Sequence, residues 1–343
     1  MRIPTIQKNE IRKILIIHYG AIGDFIAGTI AFKALRDSFP NARITLLSRA
    51  NTFEICPPGS LVDEYIVFDE KNKKTLWKIF WQIRKKAFDA VVNLKDFSEV
   101  MHLITFFSGA KIRAGLGRGI WSKVYTHLPP NYTDTNQHEY LKNLSVARTL
   151  GAENPHIQAY VHITNVHKEA TETFWQENNL VGSEVLAVVP GASDFRKAWR
   201  SERFVEIINK FLKTYDSKVL LVWGSEAEKS LVENMAKSVQ NTNLIILPRG
   251  SVGWLASVLK KTKVCLCNNS GVMHIAYAVD TPVICLNTSI SWQAFGEKGY
   301  NVNAFGKDIQ NNKYLPIEQV RILLDTISVE EVWKILQKVW EKF

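Results

Sequence analysis

The sequence predicts an α/β protein built from two doubly wound parallel sheets in tandem. Three observations lead there. Short apolar runs of strand length alternate with longer stretches of helical period. That alternation occurs twice, and a segment without sustained period separates the two occurrences. In the first half, strands are expected at residues 13–18, 43–48, 64–68, 88–94 and 111–116, with helices at 24–38 and 75–86 among the connections. The stretch 151–170 breaks the rhythm. Beyond it, strands are expected at 185–189, 218–223, 244–247, 263–267 and 282–286, and helices at 201–214, 226–240, 252–260 and 271–279. The expected domains are therefore residues 1–165 and 166–326. Residues 327–343 form a terminal amphipathic helix that shares Val332, Ile335, Leu336 and Val339 on one face, and the sequence leaves open whether that face packs back on the first half.

Composition narrows the class. With 46% apolar and 22% charged residues and no low-complexity tract, the chain reads as a soluble globular protein. No apolar run approaches the ~20 residues that span a bilayer. The opening MRIPTIQKNEIRK has charge but no apolar core, so no secretory signal is expected. Cys56, Cys265, Cys267 and Cys285 form no Cys-x-x-Cys pair and read as reduced core thiols of a cytoplasmic protein. The net charge of +10 favours anionic partners. A nucleic-acid-binding protein would share that charge, but zinc-ligand spacing, an RNP-like aromatic strand and a recognition helix are all missing.

In open parallel sheets ligands collect at the carboxyl ends of strands, where helix N-termini present free N–H groups. Four loops of this chain fall there. HYGAIGD carries His18, Gly20, Gly23 and Asp24. Its acid either complements the helix dipole, worth about 0.3–1 kcal/mol, or faces a ligand. The loop lacks the Gly-x-Gly-x-x-Gly of a dinucleotide site. PGASDFRKAW offers Gly191 and Ser193 in a small-residue turn followed by Lys197, which suits phosphate and equally suits an ordinary basic surface loop. In WGSEAEK, Ser225 and Glu228 match a capping box. Glu226 is spare, either to balance the dipole or to accept bonds from ribose hydroxyls. NNSGVMH closes a strand with Asn269 and Ser270 and opens a helix at Gly271, where a diphosphate would find free N–H groups. His274, one turn inside, reads as a packed residue. If the two carboxyl edges face one another, a cleft follows.

These loops in this order resemble glycosyltransferase family 9, the lipopolysaccharide heptosyltransferases of GT-B architecture. The resemblance rests on GAIGDFIAGTIAFKALRDSFPNARITLL, PGASDFRKAW, WGSEAEK and NNSGVMHIAYAVDTPVICL, and covers roughly residues 13–290. It implies two Rossmann-like domains facing a central cleft, the first holding a lipid-linked acceptor and the second a nucleotide-diphosphate sugar such as ADP-heptose. It implies an inverting, metal-independent transfer in cell-envelope biosynthesis, without a cofactor. Asp24 then corresponds to the general base and Lys197 to the lysine that neutralises the leaving diphosphate. Ser193, Ser270 and the Gly271 backbone would donate to phosphate, Glu226 would hold ribose, and the backbone at Gly250 would meet adenine. Three positions depart from the family pattern: Asn269 where many members carry Asp at the donor sugar, His18 where a basic residue is common, and Ile30 in place of a helix proline. Another GT-B nucleotide-sugar enzyme, a different sugar transferase or an epimerase, is the nearest alternative.

KNKKTLWKIFWQIRKKAF, from Lys71 to Phe88, carries basic residues and no acid. Leu76, Ile79, Phe80 and Ile83 share a helical face flanked by Trp77 and Trp81. Such a helix is either core-facing with a solvated basic side or docked on an anionic membrane, at the inner face of the inner membrane, where a lipid acceptor resides.

Overall fold

A computed structural model describes residues 10–69, 73–95, 97–130, 137–154, 157–192, 198–287, 294–303 and 317–343. The chain divides between His162 and Ile163 into two compact units. The first contains β1 (Lys13–Ile17), α1 (Ile22–Ser38), β2 (Arg43–Ser48), β3 (Glu64–Val67), α2 (Lys73–Lys86), β4 (Ala90–Asn93), α3 (Glu99–Phe107), β5 (Ile112–Gly115) and α4 (Glu139–Arg148). The second runs through α5 (Asn165–Glu177), β6 (Val185–Val189), α6 (Ser201–Thr214), β7 (Lys218–Leu221), α7 (Glu226–Val239), β8 (Leu244–Ile246), α8 (Val252–Lys260), β9 (Val264–Asn268), α9 (Gly271–Ala278), β10 (Val283–Asn287), β11 (Gly299–Asn303), α10 (Ile317–Asp325) and α11 (Val329–Lys342).

Each expected strand is present to within a residue or two. The first sheet has the order β3-β2-β1-β4-β5 and the second β11-β10-β9-β6-β7-β8, with every pairing parallel. In both sheets the strand order reverses beside the first strand of the unit. The crevice at such a reversal, outside the carboxyl ends, is where doubly wound sheets bind ligands. Here the reversals lie between β1 and β4 and between β6 and β9.

Inward apolar faces set the two cores. In the first unit Leu15, Ile17 and Val91 meet Ile79 and Ile83 of α2 and Met101 and Ile104 of α3. Helix α1 is apolar on nearly every side, from Phe25 to Leu35, which fits a buried helix. The connector stays with the first unit as far as His162. Tyr160 N–H donates to Thr29 Oγ1 (2.8 Å), Asn154 Nδ2 to Ile30 O (3.3 Å) and His162 N–H to Ile55 O (2.9 Å).

Two elements change the expected organisation. The terminal helix does not leave the second unit, because its apolar face is used there. Val332, Leu336, Val339 and Trp340 are buried in the core of β6, β7 and α6, and the Trp340 and Phe211 rings meet edge-to-face at 4.7 Å. Lys210 pairs with Glu330, and Tyr215 Oη donates to Glu341 (3.2 Å). The stretch expected to be a plain connector contains α5, capped by Thr164 and His167. Its buried stripe, Thr171, Phe174 and Trp175, begins only in the second half of the helix, so no sustained period shows in the sequence.

Candidate functional site

The carboxyl edge of the first sheet is built around the turn after β1. Asp24 occupies the third position of α1 and folds back so that Oδ2 accepts from the Ala21 N–H (3.2 Å). Gly20 makes room for this: a Cβ there would lie 2.8 Å from Asp24 Cβ and Oδ2. The acid therefore caps its own helix, which satisfies one orphan donor and complements the dipole. The cap engages only Oδ2, and Asp24 is half-buried. Gly23 is buried in the same first turn.

His18 has a different place from the one its loop position suggests. Its ring is 2% exposed, packed edge-on against Phe25 and Phe32 and lying over Gly28, where any Cβ would collide with it. Nδ1 is buried and has no hydrogen-bond partner among the described residues. Burial, with smaller contributions from Lys95 and Lys142, holds its pKa well below 6.5, so the imidazole is neutral. The unfolded chain takes up a proton near that ordinary value and the folded chain does not. Stability from His18 is therefore complete above about pH 6.5 and is lost as pH falls towards the depressed folded value, by up to about 1.4 kcal/mol per unit. Urea denaturation from pH 7.5 down to 5 should show this slope in the wild type and a shallower one in His18→Leu.

The structure adds residues that the sequence did not single out. Arg49 and Lys95 each lie 5.4 Å from the Tyr19 ring, and Arg118 and Lys142 lie 5.1 and 5.5 Å from that of Phe97. These four cations come from the ends of β2, β4 and β5 and the first turn of α4, where Lys142 also pairs with Glu139 (3.4 Å), and together they leave positive charge in excess at the edge that carries Asp24. Asn93, the last residue of β4, holds Lys95 in place. Its Oδ1 accepts from Lys95 N–H (2.9 Å), and its Nδ2 donates to Tyr125 Oη (2.8 Å).

The second sheet's edge centres on the reversal between β6 and β9. Ser270 is the N-cap of α9, yet its side chain makes no cap bond, and its buried Oγ has no hydrogen-bond partner among the described residues. A hydroxyl kept dry and unpaired beside the first N–H groups of a helix lacks an acceptor, and an anion supplies one. Ser193 and Lys197 lie outside the described residues, but both ends of their loop are pinned by Asn268. Asn268 Oδ1 accepts from Trp199 N–H (3.0 Å) and Nδ2 donates to Pro190 O (2.8 Å), all of it buried. A polar residue closing the apolar run VCLCN was the only sequence signal for it. Asn269 Nδ2 donates to Asn287 Oδ1 (2.9 Å). An ionised Asp could not make that bond, so Asn at 269 suits an edge where the next strand offers an oxygen.

At the other side of this edge, the capping box of α7 is formed. Glu228 accepts from Gly224 N–H (2.7 Å) and Ser225 N–H (3.0 Å), and its side chain fills the space beside Gly191. Glu226 is left exposed and faces Arg249 at 3.6 Å, next to Gly250. Gly250 lies against the Trp254 indole, with no room for a side chain. His274 is buried within α9. Among the described residues, no group of three His, Cys, Asp or Glu side chains could hold a metal ion.

Both edges are thus equipped for anions, on a doubly wound scaffold that many enzymes share. Comparison with known proteins decides the family. Residues 76–320 match the model of glycosyltransferase family 9 (heptosyltransferase). The chain belongs to glycosyltransferase family 9. Within that family it is 25% identical to lipopolysaccharide heptosyltransferase 3 of Escherichia coli K12 over 286 residues, covering 77% of this chain and 79% of that one. The crystal structure of a family 9 glycosyltransferase from Veillonella parvula superposes with a TM-score of 0.78 at 17% identity, over 98% of this chain and 99% of the other. An Escherichia coli heptosyltransferase, WaaC, solved with ADP-2-deoxy-2-fluoro heptose, gives 0.70 at 17% identity over 95% and 99%. The fold of this family 9 glycosyltransferase is accordingly GT-B.

Proposed function

We propose that this glycosyltransferase moves a heptose from ADP-heptose to a lipopolysaccharide core acceptor, with inversion, without a metal, and with Asp24 as the general base. The observation that carries the reading is Ser270: a buried hydroxyl at the start of α9 with no partner among the described residues, next to Asn268, which holds Pro190 and Trp199. The diphosphate of the donor accepts from Ser270, from the Gly271 end of α9 and from Ser193, with Lys197 as its counter-charge. Glu226 holds ribose hydroxyls, and the Gly250 backbone above Trp254 meets the adenine. Asn269 lies at the donor sugar. Charge that grows on the leaving diphosphate is met by fixed donors and the Lys197 ammonium. Asp24 takes the proton of an acceptor hydroxyl as that oxygen attacks the anomeric carbon and the bond to ADP breaks. The cations near Tyr19 and Phe97 suit an acceptor bearing carboxylate or phosphate groups. A lipid-linked acceptor places the enzyme peripherally at the inner face of the inner membrane, with the basic helix α2 towards anionic lipid.

A thermal-shift panel tests the donor. ADP should raise the transition more than UDP, GDP or NAD. A clear preference for UDP would move the substrate to another nucleotide sugar, and a larger shift with duplex DNA would sink the enzyme reading. Ser270→Ala separates ligand from structure. Because Ser270 Oγ makes no bond to any described residue, the variant should keep its stability to within about 0.5 kcal/mol. It should bind ADP about 10–100-fold more weakly, the value of a hydrogen bond to a charged group. Calorimetric titration reads the second effect, and unchanged ADP affinity would remove Ser270 from the site.

A further inference from the structure

We propose that α2 and α3 together form a platform that seats the first unit on an anionic lipid bilayer, with the aromatic side chains of both helices entering the headgroup layer. The proposal deepens the peripheral placement given above, but it stands on a surface and not on the sugar chemistry. Each helix is apolar on two sides. Ile79 and Ile83 of α2 and Met101 and Ile104 of α3 face the core. On the outer side Trp77 is 66% exposed, Trp81 54%, Phe106 50% and Phe107 49%. An ordinary surface helix has a polar outer face, whereas α3 (EVMHLITFF) carries one charged residue, Glu99.

The outer side chains form one continuous group across both helices. Trp77 stacks on Phe80 (5.9 Å) and meets Trp81 edge-on (5.7 Å). Phe80 meets Phe107 (5.7 Å), and Phe107 meets Phe106 (5.1 Å). The Arg84 guanidinium lies against Gly109 just beyond the end of α3, where φ is +80°, so the two helices are also joined at that end. Contiguous exposed aromatics of this extent mark an interaction site.

Charge selects the occupant. Helix α2 carries Lys78, Arg84, Lys85 and Lys86 and no acid along its length. Past its last turn a cavity of about 230 Å³ is lined by Lys13, Arg43, Lys85 and Lys86 around the single carboxylate of Glu64. A second copy of the chain docked by symmetry would set these cations against their own kind. An anionic membrane complements them, and tryptophan rings with flanking lysines and arginines favour the headgroup region. Helix α3 was not singled out in the sequence because a nine-residue apolar stretch reads equally as core.

The test is sedimentation of the full-length protein with phosphatidylcholine vesicles, with and without phosphatidylglycerol, and no sugar nucleotide present. The wild type should bind only the anionic vesicles, and high salt should weaken it. Trp81→Ala/Phe107→Ala should reduce the partition coefficient at least about tenfold, and Lys78→Glu/Lys85→Glu should do so independently, both with an unchanged thermal transition. Absence of vesicle binding by the wild type, or equal binding by both variants, would overturn the proposal. So would concentration-dependent dimerisation that the aromatic double variant abolishes, since the face would then belong to a second copy. Vesicle binding by a protein that turns over no ADP-heptose would leave the platform standing and contradict the proposed reaction instead.

Discussion

Asp24→Asn should lower kcat by about 10²–10⁴-fold, equivalent to about 3–5 kcal/mol of barrier, while ADP affinity stays at the wild-type value. The substitution is chosen for what it preserves. An asparagine oxygen can still accept from the Ala21 N–H, so the helix-start bond at 3.2 Å survives and the fold with it. What disappears is a carboxylate able to take a proton. Asp24→Ala would remove both roles and add a stability loss of about 0.5–1 kcal/mol for the lost cap. The comparison separates the two explanations of why an acid stands at this turn. Steady-state kinetics showing Asp24→Asn within about tenfold of wild type would reduce Asp24 to a capping residue.

Asn268→Leu should destabilise the protein by about 2–5 kcal/mol, because it leaves the Trp199 N–H and the Pro190 carbonyl buried without partners. Both groups lie in the interior beside β9, and each bond is of ordinary length, 3.0 and 2.8 Å. The consequence would reach the proposed donor site, because these two bonds hold Pro190 and Trp199, which flank Ser193 and Lys197 in the chain. Asn268→Asp is the informative partner. Its carboxylate still accepts from Trp199 but cannot donate to Pro190, so it should fold while the KM for the sugar nucleotide rises. Equilibrium urea unfolding of Asn268→Leu indistinguishable from wild type would mean that the loop is anchored by other groups.

What could be read in advance follows from how far each signal is local. The strands were legible because both faces of a central parallel strand are buried, so Ile14–Ile17 or Val185–Val189 is a continuous apolar run. The α7 start was legible because Ser225 and Glu228 are three residues apart and cap each other. Strand β11 was not, since GYNVN is an edge strand in which only Val302 is buried. The terminal helix showed its apolar face in the sequence but not the core it joins, because Phe211 and Trp340 are far apart along the chain. In the site, Ser270 and Gly271 were visible as a polar stop between strand and helix. Asn268, two residues before Ser270, was not, since its worth depends on bonds to residues some seventy positions away. His18 stood at the end of an expected strand, where the chain enters the glycine turn. Only the space over Gly28, in the next helix, admits its ring to the core.

The most direct test of the proposed reaction is ADP release from ADP-heptose, measured with and without a truncated lipopolysaccharide core acceptor. Release that requires the acceptor, with one heptose joined to it for each ADP formed, is the expected result. Absence of release from ADP-heptose with the acceptor present, from a folded protein that instead transfers sugar from a different nucleotide, would contradict it.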